Sequence, residues 1–186
     1  MSRGHPVTPS RAAAPIDRVD AAAFTIPTDA PESDGTLEWD KTTLVVVRVA
    51  AGDVVGLGYT YADASAAILV ERLLADVIAG RDAMDVESCY VAMIHAVRNL
   101  GRQGIAATAI SAVDIALWDA APSVHAHLCC AVSRIRNLEY FHDHVRIERM
   151  LFDGALDPIA GALRPDRSRP GLGIEFKSRD AERFAV

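Results

Sequence analysis

Gly104-Ile-Ala-Ala-Thr-Ala-Ile-Ser-Ala-Val-Asp-Ile-Ala-Leu-Trp-Asp119 is the stretch around which the rest of the chain is organised. Its apolar and small residues recur at helical spacing, so Ile105, Ala109, Ala112, Val113 and Ala116 form one face on which another element can pack closely. One acid, Asp114, stands among apolar neighbours. A carboxylate taken out of water needs partners, so Asp114 reads first as a structural hydrogen-bond acceptor and second as an acid catalyst.

The sequence before this helix is a coherent half-domain. Ile16 to Ile26 has β character around Phe24-Thr-Ile26. Pro27 to Asp40, with two prolines, Gly35 and several acids, has the composition of a mobile loop. Thr42-Thr-Leu-Val-Val-Val-Arg-Val49 is β-branched nearly throughout and predicts a strand. Ala51-Gly52-Asp53 supplies a turn, and Val54 to Tyr61 returns as a strand whose Gly56 and Gly58 admit close backbone approach. The period then changes. Asp63 or Ser65 can cap a helix to Ala79, ended by Gly80, with Leu69, Leu73, Val77 and Val70, Leu74, Ile78 at helical spacing. Asp85 can cap the next, striped by Val86, Tyr90, Ile94 and Val97, with Gly101 past its end. A block of strands followed by a block of helices means α+β: a three-stranded antiparallel meander packed on a helical bundle.

Composition narrows the class. The chain has 186 residues and is 51% hydrophobic, which marks a globular protein. A net charge of −6 with no dominant basic run argues against a nucleic-acid partner. No stretch approaches a membrane span. Three cysteines, Cys89, Cys129 and Cys130, make a poor disulfide framework and point to a reducing cytoplasm. Residues 1–15 read as a flexible leader.

The stretch Ala109-Ile-Ser-Ala-Val-Asp-Ile-Ala-Leu-Trp-Asp119 resembles the signature in the last capping-domain helix of the enolase superfamily, in its mandelate racemase and muconate lactonizing branch. The resemblance covers residues 16–119 in order and spacing. It implies an enolase-like N-terminal capping domain over 16–121. It places the Pro27–Asp40 loop and the Gly58-Tyr-Thr-Tyr61 turn where the family carries two substrate-covering loops, which makes Thr28, Trp39, Tyr59 and Tyr61 the residues over a ligand. As residues of a strand end, Tyr59 and Tyr61 read equally well as packing aromatics, and Thr28 and Trp39 as parts of a solvated loop.

After Asp119 the signature should run into a basic residue, a Gly-Leu-Pro and a Leu-Leu-Gly. It meets Ala-Ala-Pro-Ser123 instead. Pro122 to Val132 resembles the helix after the seventh barrel strand, Leu138-Glu-Tyr-Phe141 the eighth strand with its acid Glu139, and Leu156-Asp-Pro158 through Arg169-Pro-Gly-Leu-Gly173 the tail that returns to the capping domain. A (β/α)₈ barrel needs about 250 residues. Residues 122–186 number only 65, so they read as a C-terminal remnant of a barrel and no complete barrel is expected. Gly173-Ile-Glu-Phe-Lys177 predicts a last short strand; Phe152-Asp-Gly-Ala155 and Leu156-Asp-Pro158 read as turns.

The resemblance implies Mg²⁺-assisted removal of a proton α to a carboxylate, of the acid-sugar dehydratase or racemase type, on a small carboxylate or acid-sugar substrate. That chemistry needs a base and three carboxylates on the metal. The only lysines, Lys41 and Lys177, form no Lys-x-Lys base motif, and the metal acids fall in the missing segment. Glu139 is the one catalytic candidate left. The expectation is an internally deleted family member, inactive alone. The alternative is a non-catalytic capping module that binds or forms a homo-oligomer. His125, His127, Cys129 and Cys130 crowd one segment; the i, i+2 histidines do not share a helical face, whereas His125 and Cys129 at i, i+4 do, and packing is preferred to zinc. His142-Asp143-His144 reads as a loop with hydrogen-bonding side chains, since on an extended chain the two histidines face away from the acid.

Overall fold

The structure, a computed structural model, describes residues 13–120, 142–160, 164, 166 and 168–186. Three strands form one antiparallel sheet in the order β1-β2-β3: β1 Arg18–Ser33, β2 Glu38–Ala51 and β3 Val54–Tyr61. The α+β meander is therefore present. Ala14 and Pro15, read as the end of a leader, are already tied down: the Ala14 amide donates to Asp82 Oδ1 at 3.0 Å, and Pro15 bridges to Asp82.

The run Leu44 to Val49 lacks polar-apolar alternation because both faces of β2 are covered. Val45, Val47 and Val49 point into the helical core, while Leu44 and Val46 join a second core with Phe24, Ile26, Ile147, Leu151 and Phe152. Helices cover the first face. The first, α1, runs through Ser65–Leu69, a π turn at Val70–Leu74, and Ala75–Ile78. Its Val70, Leu74 and Ile78 are fully buried, with Leu69, Leu73 and Val77 at the margin. Asp63 Oδ1 accepts from the Ser65 amide at its start, and Gly80 (φ +73°) ends it. Helix α2, Val86–Ala96, is capped by Asp85, which accepts from the Ser88 amide. Its inward stripe is Val86, Cys89, Met93 and Val97; Tyr90 and Ile94 lie beside it, partly buried.

The opening stretch is α3, Ile105–Ala120. Ala109, Ala112, Val113 and Ala116 are completely buried, but Ile105 stays 39% exposed because it begins the helix outside the contact. The small face meets β3 at backbone distance. A Cβ on Gly56 would stand 2.0 Å from the Ala116 carbonyl oxygen, and one on Gly58 2.0 Å from that of Ala112. Only glycine opposite alanine allows this approach.

The second sheet face is covered by the C-terminal segment. Helix α4, His142–Leu151, lies there with Ile147 and Leu151 buried. This overturns the expectation of a loop at His142-Asp143-His144. In helical geometry Asp143, Ile147 and Leu151 share the inward face, which an extended reading could not place together. Phe152–Asp153 (β4), expected in a turn, pairs instead with Glu175–Phe176 (β5), the anticipated last strand. A four-residue helix, α5 Ser178–Ala181, and a 3₁₀ turn, Glu182–Phe184, lead to the C-terminus, where the Val186 amide donates to the Ala23 carbonyl at 3.1 Å. No parallel strands occur among the described residues, and so no complete barrel. No described helix is long and apolar enough to cross a membrane.

A second correction concerns Pro27 to Asp40. This segment is a paired ribbon, since β1 and β2 run on to Ser33 and Glu38. Asp34 makes the turn by accepting from the Thr36 hydroxyl (2.6 Å) and the Thr36 and Leu37 amides (2.8 and 2.9 Å), beside Gly35 at φ +87°. The hydroxyl bond first, then the amides, hold the Asp34 carboxyl down at about 2. The prolines are absorbed by an irregularity in register: Pro27 pairs with Lys41 and Glu32 with Trp39, so residues 28–31 bulge opposite Asp40 alone.

Candidate functional site

The ribbon root, the end of β3 and helix α4 border an open, shallow cleft of ≈ 300 Å³. Trp39, Lys41, Thr42, Tyr61, Asp63 and His144 line it. Of the four residues expected over a ligand, the structure brings Trp39 and Tyr61 together at this cleft. Trp39 is fixed by an indole Nε1–H donated to Glu32 Oε2 across the ribbon at 3.0 Å. Thr28 lies in the bulge, its hydroxyl enclosed with no hydrogen-bond partner among the described residues. Gly58 to Tyr61, a turn by the resemblance, is the last part of strand β3, as the residue reading of Val54 to Tyr61 has it.

Tyr59 and Tyr61 point at α4, as alternation along β3 requires. The Tyr59 hydroxyl donates to Glu148 Oε1 at 2.8 Å, and its ring packs on Phe152 with centroids 5.0 Å apart. The Tyr61 hydroxyl donates to the His144 carbonyl at 3.0 Å, and its ring stacks on the His144 imidazole at 3.6 Å and 8°. Burial, reinforced by the Glu148 charge, raises both phenols far above their ordinary value. Burial likewise raises the Glu148 carboxyl, opposed by the Tyr59 hydrogen bond. Each tyrosine thus has its hydroxyl committed within the chain while Tyr61 keeps part of its ring on the cleft.

Below the cleft lies a polar cluster that sequence reasoning missed. Asp143 is 2% exposed and is the buried charged side chain of the described core. It accepts from the Thr42 hydroxyl at 2.7 Å and from Arg146 Nε and Nη2 at 2.9 and 2.7 Å. The Asp-x-x-Arg spacing over 143–146 was a usable signal, because i and i+3 meet on a helix; the extended reading concealed it.

The described residues do not fit a magnesium site. No three of His, Cys, Asp and Glu converge among them. Asp143 is held by Arg146, Glu148 by Tyr59, and Asp119 by two backbone amides. Glu139, with His125, His127, Cys129, Cys130 and the segments 122–132 and 138–141, lies outside the described residues. Asp114 is partly buried on α3.

Comparison with known proteins places this geometry. Residues 22–127 match the family described as "Mandelate racemase / muconate lactonizing enzyme, N-terminal domain". The 3,6-anhydro-alpha-L-galactonate cycloisomerase of Streptomyces coelicolor is 36% identical over 113 residues, 56% of this chain and 30% of that protein. The L-rhamnonate dehydratase of Saccharopolyspora erythraea is 43% identical over 77 residues, 41% of this chain and 20% of that protein. The chain thus spans under a third of the length of these curated relatives. A solved mandelate racemase/muconate lactonizing enzyme-like protein from Rubrobacter xylanophilus superposes with a TM-score of 0.87 at 26% identity, over 92% of this chain and 100% of that one. A solved racemase from S. coelicolor, with bound magnesium, superposes with a TM-score of 0.55 at 37% identity, over 57% of this chain and 31% of that one. With more than half of its residues matching the family and the same meander beneath the signature helix, this chain belongs to the mandelate racemase/muconate lactonizing enzyme family.

Proposed function

We propose that the chain is an internally shortened member of its family: a capping domain, 16–121, joined directly to a C-terminal remnant, 122–186, behind a leader, 1–15. It retains the elements that cover a small carboxylate or acid-sugar substrate, and it does not by itself carry out the family's Mg²⁺-assisted proton abstraction. The observation that carries this reading is the double engagement of Asp119. The last residue of the signature accepts from the Leu57 amide on β3 and from the Leu172 amide of the tail. This engagement of signature and tail by one carboxylate supports a direct join between them.

The covering elements support a binding role. The cleft places one cation, Lys41, beside the Trp39 and Tyr61 rings, with the Asp63 carboxylate and the Thr42 hydroxyl oxygen, whose proton goes to Asp143, on its wall. A cation for a carboxylate, oxygen acceptors for polyol hydroxyls and flat rings for a sugar backbone are the groups such a ligand needs. Catalysis additionally needs a base and a metal, and the described residues bring together neither. Glu139, by resemblance a hydrogen-bond partner of the substrate carboxylate, is the one catalytic candidate in the sequence. The odd cysteine count with its adjacent pair suits a cytoplasmic setting.

A second reading, a non-catalytic module that binds or self-associates, is favoured by one observation. The R. xylanophilus chain is matched over its whole length, so the arrangement of capping domain and tail recurs in a chain of comparable extent.

Turnover separates an active enzyme from both readings. Purified chain with millimolar Mg²⁺ and a panel of acid sugars, including L-rhamnonate and galactarate, is expected to form no 2-keto product above the protein-free rate. Sustained product formation that mutation of Glu139 abolishes overturns the proposal. Sequencing the gene across codons 115–125 tests the join itself: a barrel-length insertion there restores the catalytic assignment. A self-associating species in sizing experiments supports the second reading, and a clean monomer counts against it.

A further inference from the structure

The ribbon that covers the cleft is irregular at its root, and a buried ion pair from the opposite end of the chain is attached at that point. Four residues of β1, 28–31, bulge opposite the single residue Asp40 of β2. A bulge of this size gives up ladder hydrogen bonds and leaves the strand direction underdetermined. Arg146 of α4 reaches it from below. Its Nη2 donates to the Pro27 carbonyl at 2.7 Å and its Nη1 lies 3.3 Å from Asp29 Oδ1. The same guanidinium is oriented by Asp143, which takes both Nε and Nη2. Asp143 in turn accepts from Thr42 on the other strand of the ribbon. One ion pair on α4 thus grips both strands at the point where pairing is interrupted.

Burial makes this arrangement directional. Asp143 is 2% and Arg146 18% exposed in their side chains. A guanidinium presents its donors in a fixed planar fork, so binding Asp143 on one edge dictates where the remaining donors point. Nη2 donates to Pro27, the last paired residue before the bulge, while Nη1 donates to Met150 Sδ on the same helix at 3.4 Å and lies beside Asp29 within the bulge. We propose that Arg146, oriented by Asp143, is a positioning residue that sets the bulge and so fixes where Trp39 stands at the cleft. The covering ribbon is then controlled by the C-terminal segment and not by its own ladder. The role assigned to the ribbon rests on the reading of the cleft as a ligand site; the clamp itself does not.

Amide hydrogen exchange and the indole ¹H–¹⁵N signal of Trp39, assigned by its loss in Trp39→Phe, test this on the full chain without any ligand. Arg146→Gln is expected to speed exchange of amides in residues 28–40 about tenfold or more and to shift the Trp39 indole signal, with Val45 to Val49 protected as before. Asp143→Asn is expected to act in the same direction. Arg146→Lys keeps the charge but loses the fork, and should fall between wild type and Arg146→Gln. Arg149→Ala removes the Asp157 pair on the same helix and should leave the ribbon unchanged. A folded Arg146→Gln chain with unaltered ribbon exchange and an unmoved Trp39 signal overturns the proposal. If Arg146→Gln does not fold, Arg146→Lys and Thr42→Val decide: ribbon exchange unchanged in both overturns it equally. A failed ligand screen bears on the cleft reading alone, since neither readout requires binding.

Discussion

The carboxylate of Asp119 accepts a hydrogen bond from the Leu57 amide at 2.7 Å, at the last turn of the signature helix and the edge of β3. Its other oxygen accepts from Leu172 at 2.6 Å. Leu57 and Leu172 are remote in sequence, and this one side chain joins strand, helix and tail. Asp119→Ala leaves two partly buried amides without an acceptor, and each bond to a charged group is worth about 1.5–3 kcal/mol. Thermal unfolding followed by circular dichroism should show a loss on the order of 3 kcal/mol. Asp119→Asn, which keeps one good acceptor, should lose about half as much. A loss under about 0.5 kcal/mol for the alanine variant would show that the tail is held by other contacts.

Close helix–strand approach gives a second, sharper case. Gly58→Ala would place a methyl group 2.0 Å from the Ala112 carbonyl oxygen, and neither backbone can yield without moving α3 off the sheet. Overpacking of this kind costs about 1–3 kcal/mol even where side chains adjust. Here backbone must shift, so the upper end, about 3 kcal/mol, is expected in urea unfolding. Gly52→Ala, at φ +59° with open space around it, serves as the comparison and should cost only the smaller turn penalty of about 1 kcal/mol.

What could be read in advance follows from which signals are local. The β-branched run 42–49, the Asp85 cap, the stop at Gly80 and the glycines facing α3 are each decided by a few neighbouring residues, and the structure has them all. The ribbon was not legible because its stability comes from the Asp34 turn and from Arg146, more than a hundred residues away, against prolines and acids that argue for a loop. Helix α4 was hidden for a related reason. Its polar inward residue, Asp143, is tolerated only because Thr42 and Arg146 satisfy it, and a composition-based reading sees just two histidines flanking an acid. At the cleft, Trp39 and Tyr61 came from the resemblance as residues expected over a ligand, while His144, which stacks on Tyr61, entered through tertiary packing alone.

Magnesium provides a third prediction. Asp63, the one acid lining the cleft, accepts from the Ser65 amide, and the acids behind it are engaged, Asp143 by Arg146 and Thr42 and Glu148 by Tyr59. A hard divalent cation needs several free oxygen ligands at once. Adding millimolar MgCl₂ should therefore leave the midpoint of thermal unfolding unmoved, beyond what equal ionic strength of NaCl produces. A saturable rise specific to Mg²⁺ would mean that residues outside those described here complete a site, and would reopen the catalytic reading.

The interface between β3 and α4 has a pH dependence whose sign follows from Glu148. Burial raises this carboxyl above the ordinary 4.5, with the Tyr59 hydrogen bond only partly opposing it. A carboxyl whose folded-state pKa is raised binds its proton more tightly in the folded than in the unfolded chain. Its contribution to stability is fully present below the unfolded value and is lost as pH rises through the folded one. At neutral pH the ionised group carries a desolvation cost that the Tyr59 hydroxyl does not fully repay. Glu148→Gln retains an acceptor for Tyr59 and has no charge to bury. It should be more stable than wild type at pH 7–8, and the difference should shrink as pH falls toward 4. Parallel stability–pH curves for the two proteins, or a wild-type advantage at neutral pH, would show that the Glu148 charge is compensated by groups beyond Tyr59. Tyr59→Phe separates burial from hydrogen bonding, because it removes the Tyr59 donor and leaves the carboxylate more poorly solvated. It should push the Glu148 titration further upward, which ¹³C chemical shifts of the side-chain carboxyl can follow directly.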